Sequence, residues 1–103
     1  MKTASDFLDD LKAARGLRSD YQLAKFLAWR QQRLTNYRQG ATFDDEAARQ
    51  IADALALQPA YIAACMAAQR AKSPELRKMW EKAAKVLAAA VVLLADPGGQ
   101  GPR

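Results

Sequence analysis

Apolar residues recur along this chain at three- and four-residue intervals, with polar residues filling the positions between. That spacing marks helices that turn one face to a core. Phe7, Leu8, Leu11 and Ala14 predict a first helix, capped by Thr3 with Asp6 and running to about Arg15, where Gly16 stops it. Leu23, Ala24 and Leu27 predict a second, with Ser19 as N-cap and Gln22 completing a capping box. Leu34 and Tyr37 give a third short helix its buried face, and Gly40 supplies its stop. Ala28 and Trp29 leave little room for a loop between the second and third helices, so the two must cross sharply. Trp29 is expected to pack into the core rather than to stack on a base.

The pattern continues through the second half. Ala48, Ile51, Ala52 and Leu55 predict a fourth helix, capped by Thr42 with Asp45. Asp44, Asp45 and Glu46 crowd its first turn, where the helix dipole favours negative charge. Pro59 suits the first turn of a fifth helix, with Tyr61, Ile62, Cys65 and Met66 facing inward. Ser73-Pro74-Glu75 restarts the chain as a final helix from about Pro74 to Ala95. Along it, Leu76, Trp80, Ala83, Leu87, Ala90 and Leu94 are spaced 4, 3, 4, 3, 4, a heptad seam suited to another helix. Leu76, Trp80, Leu87 and Leu94 are therefore candidates for homodimerisation. The same segment ends in an apolar run, VLAAAVVLLA, preceded by Arg70, Lys72, Arg77, Lys78, Lys82 and Lys85. The run is shorter than the roughly 20 residues that span a bilayer. Contact with a membrane surface through residues 76–95, and folding of the helix back onto its own domain over Ile62 and Met66, stand as the alternatives. No alternation of β-branched residues predicts a strand. The expected fold is all-α, with a domain over residues 1–72, a C-terminal helix over 73–95 and a disordered tail over 96–103.

Charge singles out the third helix. Arg30, Gln31, Gln32, Arg33, Asn36 and Arg38 lie outside its Leu34/Tyr37 stripe, and all carry hydrogen-bond donors. From Lys25 to Gly40 there are four cations and no anion, a footprint suited to phosphate. Glutamine and asparagine can pair with adenine through N6 and N7, and arginine with guanine through O6 and N7. Gln31, Gln32, Arg33 and Asn36 are the candidates for base readout, and Lys25, Arg30 and Arg38 for phosphate contact. A net charge of +5 over the 103 residues also favours an anionic partner.

The run Leu23-Ala24-x-x-Leu27, followed by Leu34-Thr35-x-Tyr37-x-x-Gly40, resembles the helix-turn-helix of phage Cro and CI-type (XRE-like) repressors. The resemblance covers roughly Thr3 to Met66, and Gln31-Gln32 sit where that family begins its recognition helix. It implies a five-helix, lambda-repressor-like helix-turn-helix domain with an additional C-terminal helix. It also implies sequence-specific binding of double-stranded DNA as a phage or prophage transcriptional regulator, here expected as a dimer. As a whole the chain is also similar to short phage-related proteins of filamentous phages and prophages. Three positions depart from the repressor pattern. Ala28 takes the turn position usually held by glycine, so a positive φ there carries a cost or is avoided. Arg30 replaces the usual Ser or Thr N-cap, losing ~1 kcal/mol of capping while adding a phosphate contact. Asp20 stands where the family often has glutamine; its carboxylate suits the helix dipole but repels phosphate, so no phosphate contact is carried over to it.

Other chemistry is sparse. The single cysteine, Cys65, permits no intrachain disulfide and is read as a small buried residue, which suits a reducing cytoplasm. The chain has no histidine, no CxxC and no glycine-rich phosphate loop. Asp9 and Asp10 lack a third oxygen ligand or a histidine nearby and are read as solvated helix surface. With no nucleophile, base and orienting group in view, neither enzyme activity, a cofactor, a metal nor a small-molecule substrate is expected. The opening MKTASDFLDD is not expected to act as a signal peptide, because carboxylates occupy the place of an apolar core. Two further readings compete with DNA binding: a protein-interaction module of the antitoxin or anti-repressor type, and a membrane-associated phage protein.

Overall fold

The computed structural model describes residues 1–94, with side chains as far as Ala89. Those residues form helices α1 (Ala4–Arg15), α2 (Asp20–Leu27), α3 (Gln31–Arg38), α4 (Asp45–Leu55), α5 (Pro59–Arg70) and α6 (Pro74–Leu94). No strand occurs among the described residues, so the fold class is all-α. The expected tail over 96–103 lies outside them.

Side-chain caps start most of these helices. Thr3 and Asp6 form a complete capping box at α1, with Thr3 Oγ1 accepting from Asp6 N–H and Asp6 Oδ2 from Thr3 N–H. At α2 the expected box is only half made. Ser19 Oγ accepts from Gln22 N–H, but Gln22 Oε1 accepts from Arg18 N–H instead of from Ser19. At α4 the N-cap is Asp44 rather than Thr42: Asp44 Oδ1 accepts from Ala47 N–H at 2.7 Å. A carboxylate is the stronger acceptor there and also meets the positive end of the helix dipole. Thr42 Oγ1 accepts from the Arg70 guanidinium instead. Pro59 opens α5, and Ser73 Oγ accepts from Leu76 N–H at the start of α6.

Three helices end alike. Gly16, Ala28 and Ala56 each adopt the left-handed conformation, with φ of 67°, 61° and 57°. The next residue's N–H reaches back to close the last turn: Leu17 to Lys12 O, Trp29 to Ala24 O and Leu57 to Ala52 O. In each case that residue is apolar and packs against the core. Ala28 therefore takes the positive φ that glycine would normally supply, and burial of the Trp29 ring offsets the penalty.

The core draws on every helix. Phe7, Leu8, Leu11, Leu23, Leu34, Ile51, Ile62, Cys65 and Met66 are its largest fully buried members. Its centre of specificity is an aromatic group: Trp29 from the turn, Tyr37 from α3 and Phe43 from the loop before α4. The Trp29 and Tyr37 centroids lie 5.4 Å apart, and Tyr37 and Phe43 meet edge to face at 4.8 Å. Trp29 is buried as expected, and its indole Nε1–H donates to Gln50 Oε1 at 2.9 Å. Gln50 Nε2 in turn donates to Leu27 O at 2.7 Å, so one α4 side chain clasps both sides of the α2–α3 turn.

The last helix folds back onto α5 through Ala84, which lies off the heptad seam, and through the seam residue Leu87. Ala84 is fully buried in the common core and Leu87 packs against it. Small buried residues on both partners, Ala64 and Ala68 on α5 and Ala84 on α6, let the two backbones come close. Leu76 (49 % exposed) and Trp80 (37 %) remain outside, joined by Met79 and Val86. Leu87 is thereby partly committed to the chain's own core, while the side chains of Ala90 and Leu94 lie outside the described residues. Among the described residues, no helix is long and apolar enough to cross a membrane.

Two substitutions test the turn. Trp29→Ala should lower stability by ~3–5 kcal/mol, since it empties the aromatic group. Ala28→Gly should raise stability by ~0.5–1 kcal/mol: relief of the left-handed penalty of ~1–2 kcal/mol outweighs the added freedom of the unfolded chain. Chemical denaturation of the three proteins measures both, and an Ala28→Gly variant less stable than the parent contradicts the strain.

Candidate nucleic-acid interface

An eight-residue helix that buries only two side chains must expose most of the others. Leu34 and Tyr37 anchor α3 in the core, and Gln31, Gln32, Thr35 and Asn36 form its exposed ridge. Gln39, just past the helix end, extends that ridge. Gln32 Nε2 donates to Asn36 Oδ1 at 3.0 Å, one helical turn apart, so these two amides hold each other in place. Arg30 is the N-cap of α3 and makes no side-chain capping bond, which leaves its exposed guanidinium uncommitted. Lys25, in the last turn of α2, is exposed and lies 5.3 Å from the centre of the Tyr21 ring. Neither Lys25 nor Arg30 enters an ion pair among the described residues.

The other two cations are already engaged. Arg33 stacks 4.5 Å above the Trp29 ring, donates from Nε to Tyr37 Oη, and approaches Asp44 at 3.7 Å. The Tyr37 bond, with Asp44 and Glu46 nearby, raises its pKa further, so this group holds its proton throughout. Arg33 was a candidate for base readout; it instead braces the aromatic group from outside.

Arg38 was a candidate for phosphate contact, and the structure gives it another task. Its Nε and Nη2 donate to the two oxygens of Asp20 at 3.0 and 2.8 Å, a bidentate pair. Its Nη1 donates to Ser5 O and Oγ, and lies 2.9 Å from Asp9. Lys12 adds a second cation to Asp20 at 3.2 Å. With its side chain only 21 % exposed, Arg38 ties the C-terminal end of α3 to α1 and α2. Asp9 and Asp10 are thus ion-pair partners, Asp10 to Lys2, rather than merely solvated surface.

Of the seven candidates, the geometry keeps Gln31, Gln32 and Asn36 on the open ridge, and Lys25 and Arg30 as uncommitted cations. Thr35 and Gln39 were missed, although their spacing of four residues places them on the same side of α3. Gln50 was missed too. It sits between the apolar positions of α4, and nothing in its local sequence announces the turn that it clasps. No protein-family model, curated protein or solved structure matches the chain.

The Asp20–Arg38 pair makes a pH-dependent prediction. The Arg38 hydrogen bonds, followed by those from Lys12, hold the Asp20 carboxyl below its ordinary value. A carboxylate with a depressed folded-state pKa stabilises the fold above its unfolded value, about 3.9. That contribution is lost as pH falls through the folded-state value. Asp20→Asn should therefore melt below the parent at pH 6, and the gap should narrow as pH falls below the ordinary carboxyl value. A gap that persists unchanged at pH 2 removes the ion pair as its cause.

Proposed function

We propose that the chain is a helix-turn-helix protein of the Cro and CI repressor type, a phage or prophage transcriptional regulator. On this reading α3 enters the major groove of double-stranded DNA. The observation that carries it is the exposed amide ridge of α3 with two uncommitted cations, Lys25 and Arg30, near its N-terminal end. Base edges are read by side chains that donate and accept, and phosphates are held by cations that no carboxylate has claimed. The tight α2–α3 connection, braced by Trp29 and Gln50, gives such a ridge a fixed pitch relative to α2.

The reading includes a second copy. One short helix spans only a few base pairs, and paired recognition helices about 34 Å apart meet one face of DNA. The exposed face of α6 (Leu76, Met79, Trp80 and Val86) supplies an apolar surface for self-association. Full burial of such side chains contributes ~1.5–3 kcal/mol each, and these are already half covered, so the free dimer is micromolar or weaker.

Two experiments test these points. In duplex-binding titrations at several salt concentrations, Lys25→Ala should weaken all sequences alike and lower the salt slope by about one. Gln31→Ala should instead cost ~1–3 kcal/mol on a selected site and relax preference at one or two base pairs. Identical behaviour of the two variants contradicts the ridge as the reader. Sedimentation at high micromolar concentration should show a dimer that Trp80→Asp dissolves. A monomeric parent overturns the α6 interface, as does a parent that only partitions onto anionic vesicles.

A further inference from the structure

The two arginines of α3 decide what its ridge can discriminate. Arg33 is stacked on Trp29 and held by Tyr37 and Asp44; Arg38 is locked between Asp20, Asp9 and Ser5. The residues from Gln31 to Gln39 that are exposed as a whole are uncharged, four amides and Thr35, while the Arg33 side chain, 38 % exposed, is drawn back over the Trp29 ring. Guanine offers two acceptors to the major groove, O6 and N7, and is met best by a guanidinium or ammonium that only donates. Adenine offers one acceptor and one donor, N7 and N6–H, and is met by an amide that does both. A carboxamide set against guanine turns its own oxygen toward an acceptor.

The bond between Gln32 and Asn36 strengthens this preference. With Gln32 Nε2 donating to Asn36 Oδ1, the Gln32 Oε1 acceptor and the Asn36 amide hydrogens remain available for other partners. A donor and an acceptor from two linked amides match the paired edge of adenine and lose less side-chain freedom on binding than two independent ones. Thr35, on the same side, offers a methyl group suited to the thymine C5-methyl.

Resting on the reading that α3 enters the major groove, we infer that the ridge selects A·T base pairs, with Gln32 and Asn36 as the specificity-determining pair. The cations then supply affinity from Lys25 and Arg30, outside the readout ridge, while the ridge itself chooses the sequence.

Selection of bound duplexes from a random pool at 0.1 M salt, using the full chain, tests this directly. The expected result is enrichment of A·T pairs at two or more adjacent positions. Asn36→Ala should reduce the preference for the affected pair by roughly 5- to 150-fold. Asn36→Arg should move that preference toward G·C, a gain that a damaged fold cannot produce; the position is exposed, and matching melting curves confirm folding. Enrichment of G·C by the parent overturns the inference and leaves DNA binding standing. So does salt-dependent binding without any enrichment. Absence of duplex binding at any salt overturns the inference together with the reading beneath it.

Discussion

The hydrogen bond from the Trp29 indole to Gln50 is the constraint on which the rest of the arrangement turns. The ring sits where two helices meet at a three-residue corner, Ala28 to Arg30, so its position sets the angle between them. Tyr37 and Phe43 close on one side of it, Arg33 lies across its face, and Gln50 holds its polar edge. Gln50 also takes the Leu27 carbonyl, one of the groups that a helix end leaves without an internal partner. A single α4 side chain thereby satisfies the last turn of α2 and orients the entry to α3. The positive φ at Ala28 is tolerated because the geometry on both sides of it is so fully determined.

Charge is divided in a way that composition alone conceals. Four cations and no anion lie between Lys25 and Gly40, yet Arg38 is locked by carboxylates from elsewhere in the chain and Arg33 is drawn onto the Trp29 ring with Asp44 3.7 Å away. Asp20 and Asp44 neutralise the inner arginines and convert them into struts. The outer pair stays exposed. A bidentate arginine–carboxylate pair that is partly shielded from water holds its geometry better than an exposed lysine contact, so the helix end carrying Arg38 is fixed rather than adaptive. For the proposed DNA-binding face, this separates the residues that generate electrostatic attraction from those that distinguish bases.

Much of the helical framework was legible in the sequence, because stripes at three- and four-residue spacing and explicit stops coincide at Gly16, Pro59 and Ser73-Pro74. The endings at Ala28 and Ala56 were harder, since alanine carries no turn signal; the informative residue is the apolar one that follows, Trp29 or Leu57. Periodicity also found the outward face of α3 but not its arginines' partners. Asp20 lies 18 residues before Arg38, and only the folding of α1 and α2 brings it into range. In α6 the heptad seam was informative only in part: Leu87 packs inward, but hydrophobicity also favours Leu76 and Trp80, which stay outside, whereas close packing favoured Ala84, a residue with little hydrophobic signal but a small radius. The shift from Thr42 to Asp44 as the α4 cap is of the same kind, a contest between neighbouring acceptors that spacing does not rank.

One clasp joins the ends of this arrangement. Gln69 Oε1 accepts from the Ala4 N–H while its Nε2 donates to the Gly40 carbonyl, so a side chain near the end of α5 touches the first turn of α1 and the loop after α3. The contact with Ala4 spans 65 residues, and the entropy of closing so long a loop grows only with the logarithm of its length. Most other contacts link helices that are close in sequence, the regime of low contact order in which chains fold quickly. Gln69 makes the outcome circular: α1 cannot fray without releasing α5, and α5 cannot lift without loosening the loop behind α3. A chain assembled from short-range steps is in this way tied end to end by one amide, in addition to the core that its helices share.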